Sequence, residues 1–258
     1  MAARPAPHAR IAARLQAAGC VFAEDEADVL LDSASGDELE ALVARRVAGE
    51  PLEVLVGWAA FAGMRIVVAP GLFVPRLRSE LLVRLAATAA ATASVVADIC
   101  CGTGAIATAI AHRRPDLTVI AADIDAEATA CARRNLPDDA TVYVGDLLSP
   151  LPESMRGRLD VIVANAPYVP TGEIALMPRE AREHERLETL DGGPDGVGIQ
   201  RRLLDHSLDW LTEGGTVIVE TSRRQADLSL AAAEASGLRG RIEHDGDSDA
   251  WAMAATRH

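Results

Sequence analysis

Val95-Val96-Ala97-Asp98-Ile99-Cys100-Cys101-Gly102-Thr103-Gly104-Ala105 decides how the rest of the chain is read. A β-branched run passes into a glycine-bearing turn, and an alanine-rich helical pattern, Ala105 to His112, starts directly after it. Glycines at a strand-to-helix turn let a ligand approach the backbone, because a side chain would fill the ligand's volume. A dinucleotide fingerprint would continue G-x-G-x-x-G, and Ala107 is permitted at the third place. The turn alone therefore leaves open NAD, another adenosine-containing ligand, or an ordinary tight turn.

Downstream the pattern alternates. Thr118 to Asp123 reads as a strand, Glu127 to Asn135 as a helix, and Thr141 to Val144, Asp160 to Ala164 and Thr216 to Glu220 as further strands. Near-continuous apolar strands separated by helices belong to a parallel sheet covered on both faces, which predicts an α/β, Rossmann-like, three-layer domain. Gly240 to Arg257 has two short extended stretches around the polar turn Asp245 to Asp249, the pattern of an edge hairpin. Three acids fall at successive strand ends: Asp98 inside the turn, Asp123 about 20 residues after the glycines, where a ribose diol is held, and Asp146 after the third strand. Asp146 can accept from an adenine amino group and Leu147 can cover the ring. Such a set repels a pyrophosphate and suits a cationic adenosine ligand, so S-adenosylmethionine fits better than NAD.

Upstream, apolar residues recur at helical spacing from Arg10 to about Ala48, and Gly49-Glu50-Pro51 ends the pattern. Two or three short helices cannot bury a core alone, so they pack on something else. Phe61 to Val68, before Pro70-Gly71, reads as a strand or hairpin. The division expected is a small helical N-terminal domain over 1–50, a linker or hairpin over 51–78, and the ligand-binding domain over 79–258.

The composition sets the class. Of 258 residues, 49% are hydrophobic and 24% charged, which supports a folded core. The formal net charge is -13, and none of the 25 Lys-plus-Arg residues is Lys. This disfavours a nucleic-acid partner and removes Schiff-base chemistry and the P-loop lysine. The four cysteines lack metal-ligand spacing, so no metal is expected, and the setting is a reduced, cytoplasmic one. No charge-free apolar run reaches about 18 residues, so no membrane span is expected. Met1 to Phe22 carries Arg and Ala and no acid, as a transit peptide does, yet the same bias runs through the whole chain and reads as a first helix.

Asp160 to Ala164 runs into Asn165-Ala166-Pro167-Tyr168. At the carboxyl end of a doubly wound sheet this tetrapeptide lies beside the ligand crevice. Pro167 restricts Ala166 and so fixes where its carbonyl points. The Asn165 side-chain carbonyl and the Ala166 main-chain carbonyl then make two acceptors, and Tyr168 a flat face, which together suit a planar NH2 group. The alternative is a plain strand-ending turn.

At this point the sequence resembles the HemK/PrmC family of protein-glutamine N5-methyltransferases, over roughly residues 40 to 225. The resemblance rests on Arg46-Val47-Ala48-Gly49-Glu50-Pro51, Gly71-Leu72-Phe73-Val74-Pro75-Arg76 with Ser79-Glu80, the Asp98 to Ala105 turn, Asp123, Asn165 to Tyr168, and Leu190-Asp191-Gly192-Gly193-Pro194-Asp195-Gly196. It implies a class I S-adenosylmethionine-dependent fold, with the N-terminal helices docking the substrate. It implies that Cys100, Cys101, Gly102, Thr103 and Gly104 wrap the methionine end of the cofactor, whose positive charge the Asp98 carboxylate would face. Asp123 would hold the ribose, Asp146 and Leu147 frame adenine, and Phe73 lie over the cofactor. Asn165, Ala166, Pro167 and Tyr168 would bind a substrate amide, such as the glutamine of the Gly-Gly-Gln loop of a peptide-chain release factor, with Asn165 also touching the cofactor, which leaves as S-adenosylhomocysteine. The family usually has N-P-P-Y and Pro-x-Thr where this chain has Ala166 and Leu77-Arg78-Ser79. Two other readings stand beside it: methylation of an exocyclic amine in RNA or DNA, and a non-catalytic binding relic. Pro170 to Leu190 reads as a polar flap over the substrate or as a solvated face.

Overall fold

The computed structural model describes residues 6–258; the first five residues of the N-terminal unit lie outside the described residues. Four helices open the chain: α1 (Ala6–Ala17), α2 (Ala23–Ser33), α3 (Gly36–Val47) and α4 (Leu52–Val56). Ile11 and Leu15, Ala27 and Leu30, and Leu39 and Val43 are one helical turn apart, so each helix turns a stripe onto one shared cluster, which Leu52 and Val56 of α4 join. Gly57, left-handed at φ 80°, ends α4. The hairpin of β1 (Trp58–Phe61) and β2 (Met64–Val67) follows.

The remaining chain is α5 (Glu80–Ala89), β3 (Val95–Ile99), α6 (Ala105–Arg113), β4 (Thr118–Asp123), α7 (Ala126–Asn135), β5 (Thr141–Val144), β6 (Leu159–Ala164), α8 (Arg179–His184), α9 (Gly198–Ser207), β7 (Leu211–Thr221), α10 (Ala226–Ala235), β8 (Arg239–Asp245) and β9 (Ala250–Thr256). The seven strands from β3 onward form one sheet in the order β5-β4-β3-β6-β7-β9-β8. Its pairs are parallel up to β7, and β9 runs antiparallel to both β7 and β8. The polar turn at Asp245 to Asp249 thus closes an edge hairpin.

Side-chain alternation explains why the strands read as unbroken apolar runs. Val96, Val119, Val161 and Val163 face the layer of α5 and α6. Their neighbours Ala97, Ile120, Ile162 and Ala164 face Leu203 and Leu204 of α9 and Ala232 and Ala233 of α10. Both faces are covered, so neither side of a strand is polar. This is the three-layer Rossmann-like fold expected. One strand is longer than its pattern: β7 starts at Leu211, and the stretch Gly214-Gly215 is carried through an irregularity in the register between β6 and β7 rather than ending in a turn. Among the described residues no helix is long and apolar enough to cross a membrane.

Candidate active site

The strand order reverses between β3 and β6, so chain leaving these two neighbours diverges and opens a crevice at their carboxyl ends. A cavity of about 500 Å³ lies there. Phe73, Cys100, Cys101, Gly102, Thr103, Asp123, Asn165, Ala166, Pro167 and Tyr168 all line it. Asp98, Gly104, Asp146 and Leu147 do not.

Asp98 is fully buried beneath the turn. Its Oδ2 accepts from the Ala107 amide at 3.0 Å, and its Oδ1 has no partner among the described residues. Burial pushes this carboxyl up to about 8, against the pull of the Ala107 amide. Gly104 begins α6 at φ 76°, and a Cβ there would lie 2.9 Å from the Ala132 Cβ on α7, so the turn packs where no side chain fits. The Asn135 side chain ties the turn to the hairpin, donating to the carbonyls of Thr103 (2.8 Å) and Val67 (2.9 Å).

Asp123 ends β4 with both oxygens on backbone amides: Oδ2 accepts from Gly102 at 2.8 Å and Oδ1 from Asp125 at 2.9 Å. Each oxygen keeps a further lone pair. Burial raises its pKa, and those amides oppose the rise. Burial, then the nearby Asp123 and Asp98 carboxylates, also pushes the Cys100 thiol well up, so it stays protonated and inert as a nucleophile. Asp146 and Leu147 follow β5, the outer strand beyond β4. Asp146 there is ion-paired to Arg202 of α9, and Leu147 packs against the apolar layer below.

Across the crevice, Asn165 Nδ2 donates to Ser79 Oγ at 3.2 Å. Among the described residues no donor engages Asn165 Oδ1 or the Ala166 carbonyl. Tyr168 donates its hydroxyl to Glu220 Oε1 at 3.0 Å, and burial together with that carboxylate holds the phenol well above its ordinary pKa. The loop Asp191 to Gly196 buttresses this turn. Gln225 Nε2 donates to the Tyr168 carbonyl at 2.6 Å, and a Cβ on Gly196, itself at φ 78°, would collide with both partners.

Sequence reasoning missed several wall residues. Ile124 is 68% exposed yet lines the cavity beside Asp123, an apolar platform for a flat ring. Its signal was an isoleucine between two aspartates, just past the end of a buried strand. The segment between Pro170 and Leu190 contributes Met177, Arg186, Glu188, Thr189 and Leu190 to the wall, so it covers the crevice. It is pinned at three points: Glu180 to Arg46 of α3, Glu185 to Arg76, and Arg186 to Asp125 and Glu127. No histidine lines the cavity among the described residues.

The sequence profile of the Methyltransferase small domain matches residues 64–181. A release factor glutamine methyltransferase of Geobacter sulfurreducens is 36% identical over 200 residues, 76% of this chain and 69% of that protein. The chain belongs to the release factor glutamine methyltransferase family. It is therefore a methyl-transferring enzyme, as the V-P-R, N-x-P-Y and D-G-G-x-D-G elements led one to expect. Similarity also extends to a 4-amino-L-phenylalanine/4-methylamino-L-phenylalanine methyltransferase of Streptomyces pristinaespiralis, 33% identical over 82% of this chain and 75% of that one. Among solved structures, a methyltransferase of Pyrococcus furiosus has a TM-score of 0.57 at 17% identity, covering 84% of this chain and 97% of its own, a likeness of fold alone.

Proposed function

We propose that this chain methylates the side-chain amide nitrogen of a protein glutamine, in the Gly-Gly-Gln segment of a peptide-chain release factor, with S-adenosylmethionine as donor. One observation carries the reading: two unengaged carbonyl oxygens, on Asn165 and Ala166, stand on a cavity wall beside the Tyr168 ring. A planar NH2 has two hydrogens to give to two such acceptors. Its carbonyl partner makes it a poor nucleophile. Holding both hydrogens on fixed oxygens aims the nitrogen and stabilises the positive charge that grows on it during attack. The alkylated amide is acidic enough to lose its extra proton to water, so no base is needed.

The residues opposite fit a cationic adenosine ligand. The orphaned, buried Asp98 Oδ1 is an acceptor lacking a donor or a positive charge. Asp123 keeps lone pairs for a ribose diol, and Ile124 offers a platform for a base. When bound, S-adenosylmethionine supplies an electrophilic methyl carried on sulfur.

The nature of the acceptor follows from charge. Three arginines line the cavity, and each is already paired: Arg76 with Glu185, Arg78 with Glu220, Arg186 with Asp125 and Glu127. A free amino acid or a nucleotide as acceptor would add a carboxylate or phosphate to the one carboxylate the cofactor already brings, and each wants a cation of its own. A glutamine side chain brings none, which favours it over the aryl amine of the Streptomyces relative and over a nucleobase. The test is incubation with labelled cofactor and three acceptors: a release factor, RNA, and 4-amino-L-phenylalanine. Label on the release-factor glutamine supports the proposal; label on either other acceptor alone overturns it.

A further inference from the structure

A carboxamide has one donating and one accepting end of almost equal shape, so a site that needs the oxygen inward needs something to forbid the flip. The surroundings of Asn165 contain such a device. Ser79, at the start of α5, has one hydroxyl hydrogen. Glu220 Oε2, 2.5 Å away, takes it, since a carboxylate only accepts. Ser79 Oγ can then offer Asn165 nothing but a lone pair, and the end that answers it has to be Nδ2, at 3.2 Å. Oδ1 is left on the opposite side, free to meet a donor. A flipped amide would set two lone pairs against each other.

The sheet register makes this possible. Ala164 pairs with Val219, so Glu220 is level with Asn165 on the adjoining strand. Glu220 is 3% exposed and holds its place through three donors: Ser79, Arg78 Nε at 3.1 Å and the Tyr168 hydroxyl at 3.0 Å. A fourth hydrogen bond, Gln200 Nε2 to the Glu220 backbone carbonyl at 2.9 Å, fixes the main chain beneath. One buried carboxylate thus orients both the acceptor behind the reacting nitrogen and the ring beside it.

We propose that Ser79 and Glu220 are positioning residues for methyl transfer, which set the hydrogen-bond polarity of the Asn165 amide so that Oδ1 faces the methyl acceptor. This rests on the reading of Asn165 as the holder of the substrate NH2.

Two measurements on the full chain test it. In the first, no substrate is needed. The Asn165 side-chain amide signals are found by nitrogen-15 NMR as those lost in Asn165→Asp, and their hydrogen exchange is followed. Slow exchange is expected in the wild type and Ser79→Thr, and fast exchange in Ser79→Ala and Glu220→Gln. In the second, kcat, KM for the release factor, cofactor Kd and thermal midpoint are measured on the same variants. Ser79→Ala should lose about tenfold in kcat, the weight of one hydrogen bond, with cofactor Kd held and the midpoint lowered because Glu220 Oε2 loses a donor, and Ser79→Thr should restore most of the rate and of the midpoint. Equal exchange in wild type and Ser79→Ala, or an unchanged kcat in Ser79→Ala, overturns the proposal. If the exchange pattern holds while the wild type methylates no glutamine, the polarity chain stands and the substrate reading falls. Should Glu220→Gln fail to fold, Ser79→Ala and Ser79→Thr decide alone.

Discussion

Ile99 and Ala164 are cross-strand partners at the carboxyl ends of β3 and β6. The residues that follow them, Cys100 and Asn165, therefore leave the sheet side by side, about 5 Å apart in the strand-to-strand direction. That relationship brings a glycine turn suited to a cofactor and an acceptor turn suited to an NH2 group onto one cavity, although Cys100 and Asn165 are 65 positions apart in the chain. No loop has to reach across the molecule to build the site; the reversal of strand order at this point builds it.

Asn165→Ala removes one of two acceptors without touching the cofactor wall. The expected result is a fall in kcat of about 10²–10³-fold, by analogy with deleting one oxyanion-hole donor, with cofactor Kd nearly unchanged. Steady-state kinetics beside equilibrium cofactor binding check it; a comparable loss in both would mean that Asn165 mainly shapes the cofactor site.

Asp98 is expected to make cofactor affinity depend on pH. Its folded-state pKa of about 8 lies above the ordinary carboxylate value of 3.8. Between these values the folded chain keeps a proton that the unfolded chain has shed, so its contribution to stability is greatest below about 3.8 and is lost as pH rises towards about 8. A cationic ligand favours the ionised form, so binding expels the proton and Kd rises as pH falls below about 8. Asp98→Asn should flatten the stability profile and weaken binding. A wild-type Kd that stays level through this window contradicts the assignment.

Gly196→Ala drives a methyl into the Tyr168 carbonyl and the Gln225 side chain, at a backbone angle that L residues rarely adopt. A loss of about 1–3 kcal/mol in denaturant unfolding is expected, with reduced kcat because the displaced group is the acceptor turn itself. Unchanged stability would mean that the Asp191 to Gly196 loop yields freely.

Arg46 joins the helical N-terminal unit to the crevice cover. It is 8% exposed and is held by Glu26 at 2.6 Å, the Glu50 carbonyl at 2.9 Å, and Glu180 of α8. Arg46→Ala strands the Glu26 carboxylate and should cost about 3 kcal/mol. It should also raise hydrogen exchange through α8, read by mass spectrometry. Protection of α8 equal to wild type would show that Arg76 with Glu185 and Arg186 with Asp125 and Glu127 hold the cover without Arg46.

What the sequence disclosed is chemistry written locally. The strand-turn-helix around Gly102, the acid ending β4, and Asn165 before Pro167 each carry their meaning within a few residues. What it concealed depends on partners far away in the chain. Asp146 looks available for an adenine amino group, yet Arg202, 56 residues on, is brought against it by α9. Ser79 and Glu220 are 141 residues apart and meet only because α5 caps the sheet beside β7. Gly214-Gly215 resembles a turn, and only pairing with β6 shows that β7 runs through it. The helix α10, mostly alanine and leucine, has little polar contrast to betray which face is buried.

The proposed activity requires the crevice to grip a glutamine NH2 for methylation. The most direct test is mass spectrometry of the Gly-Gly-Gln peptide from a purified release factor after incubation with this enzyme and S-adenosylmethionine. One added methyl on the glutamine side chain, absent with Asn165→Ala, is the result expected; an unmodified glutamine under conditions where the cofactor is bound would contradict the claim.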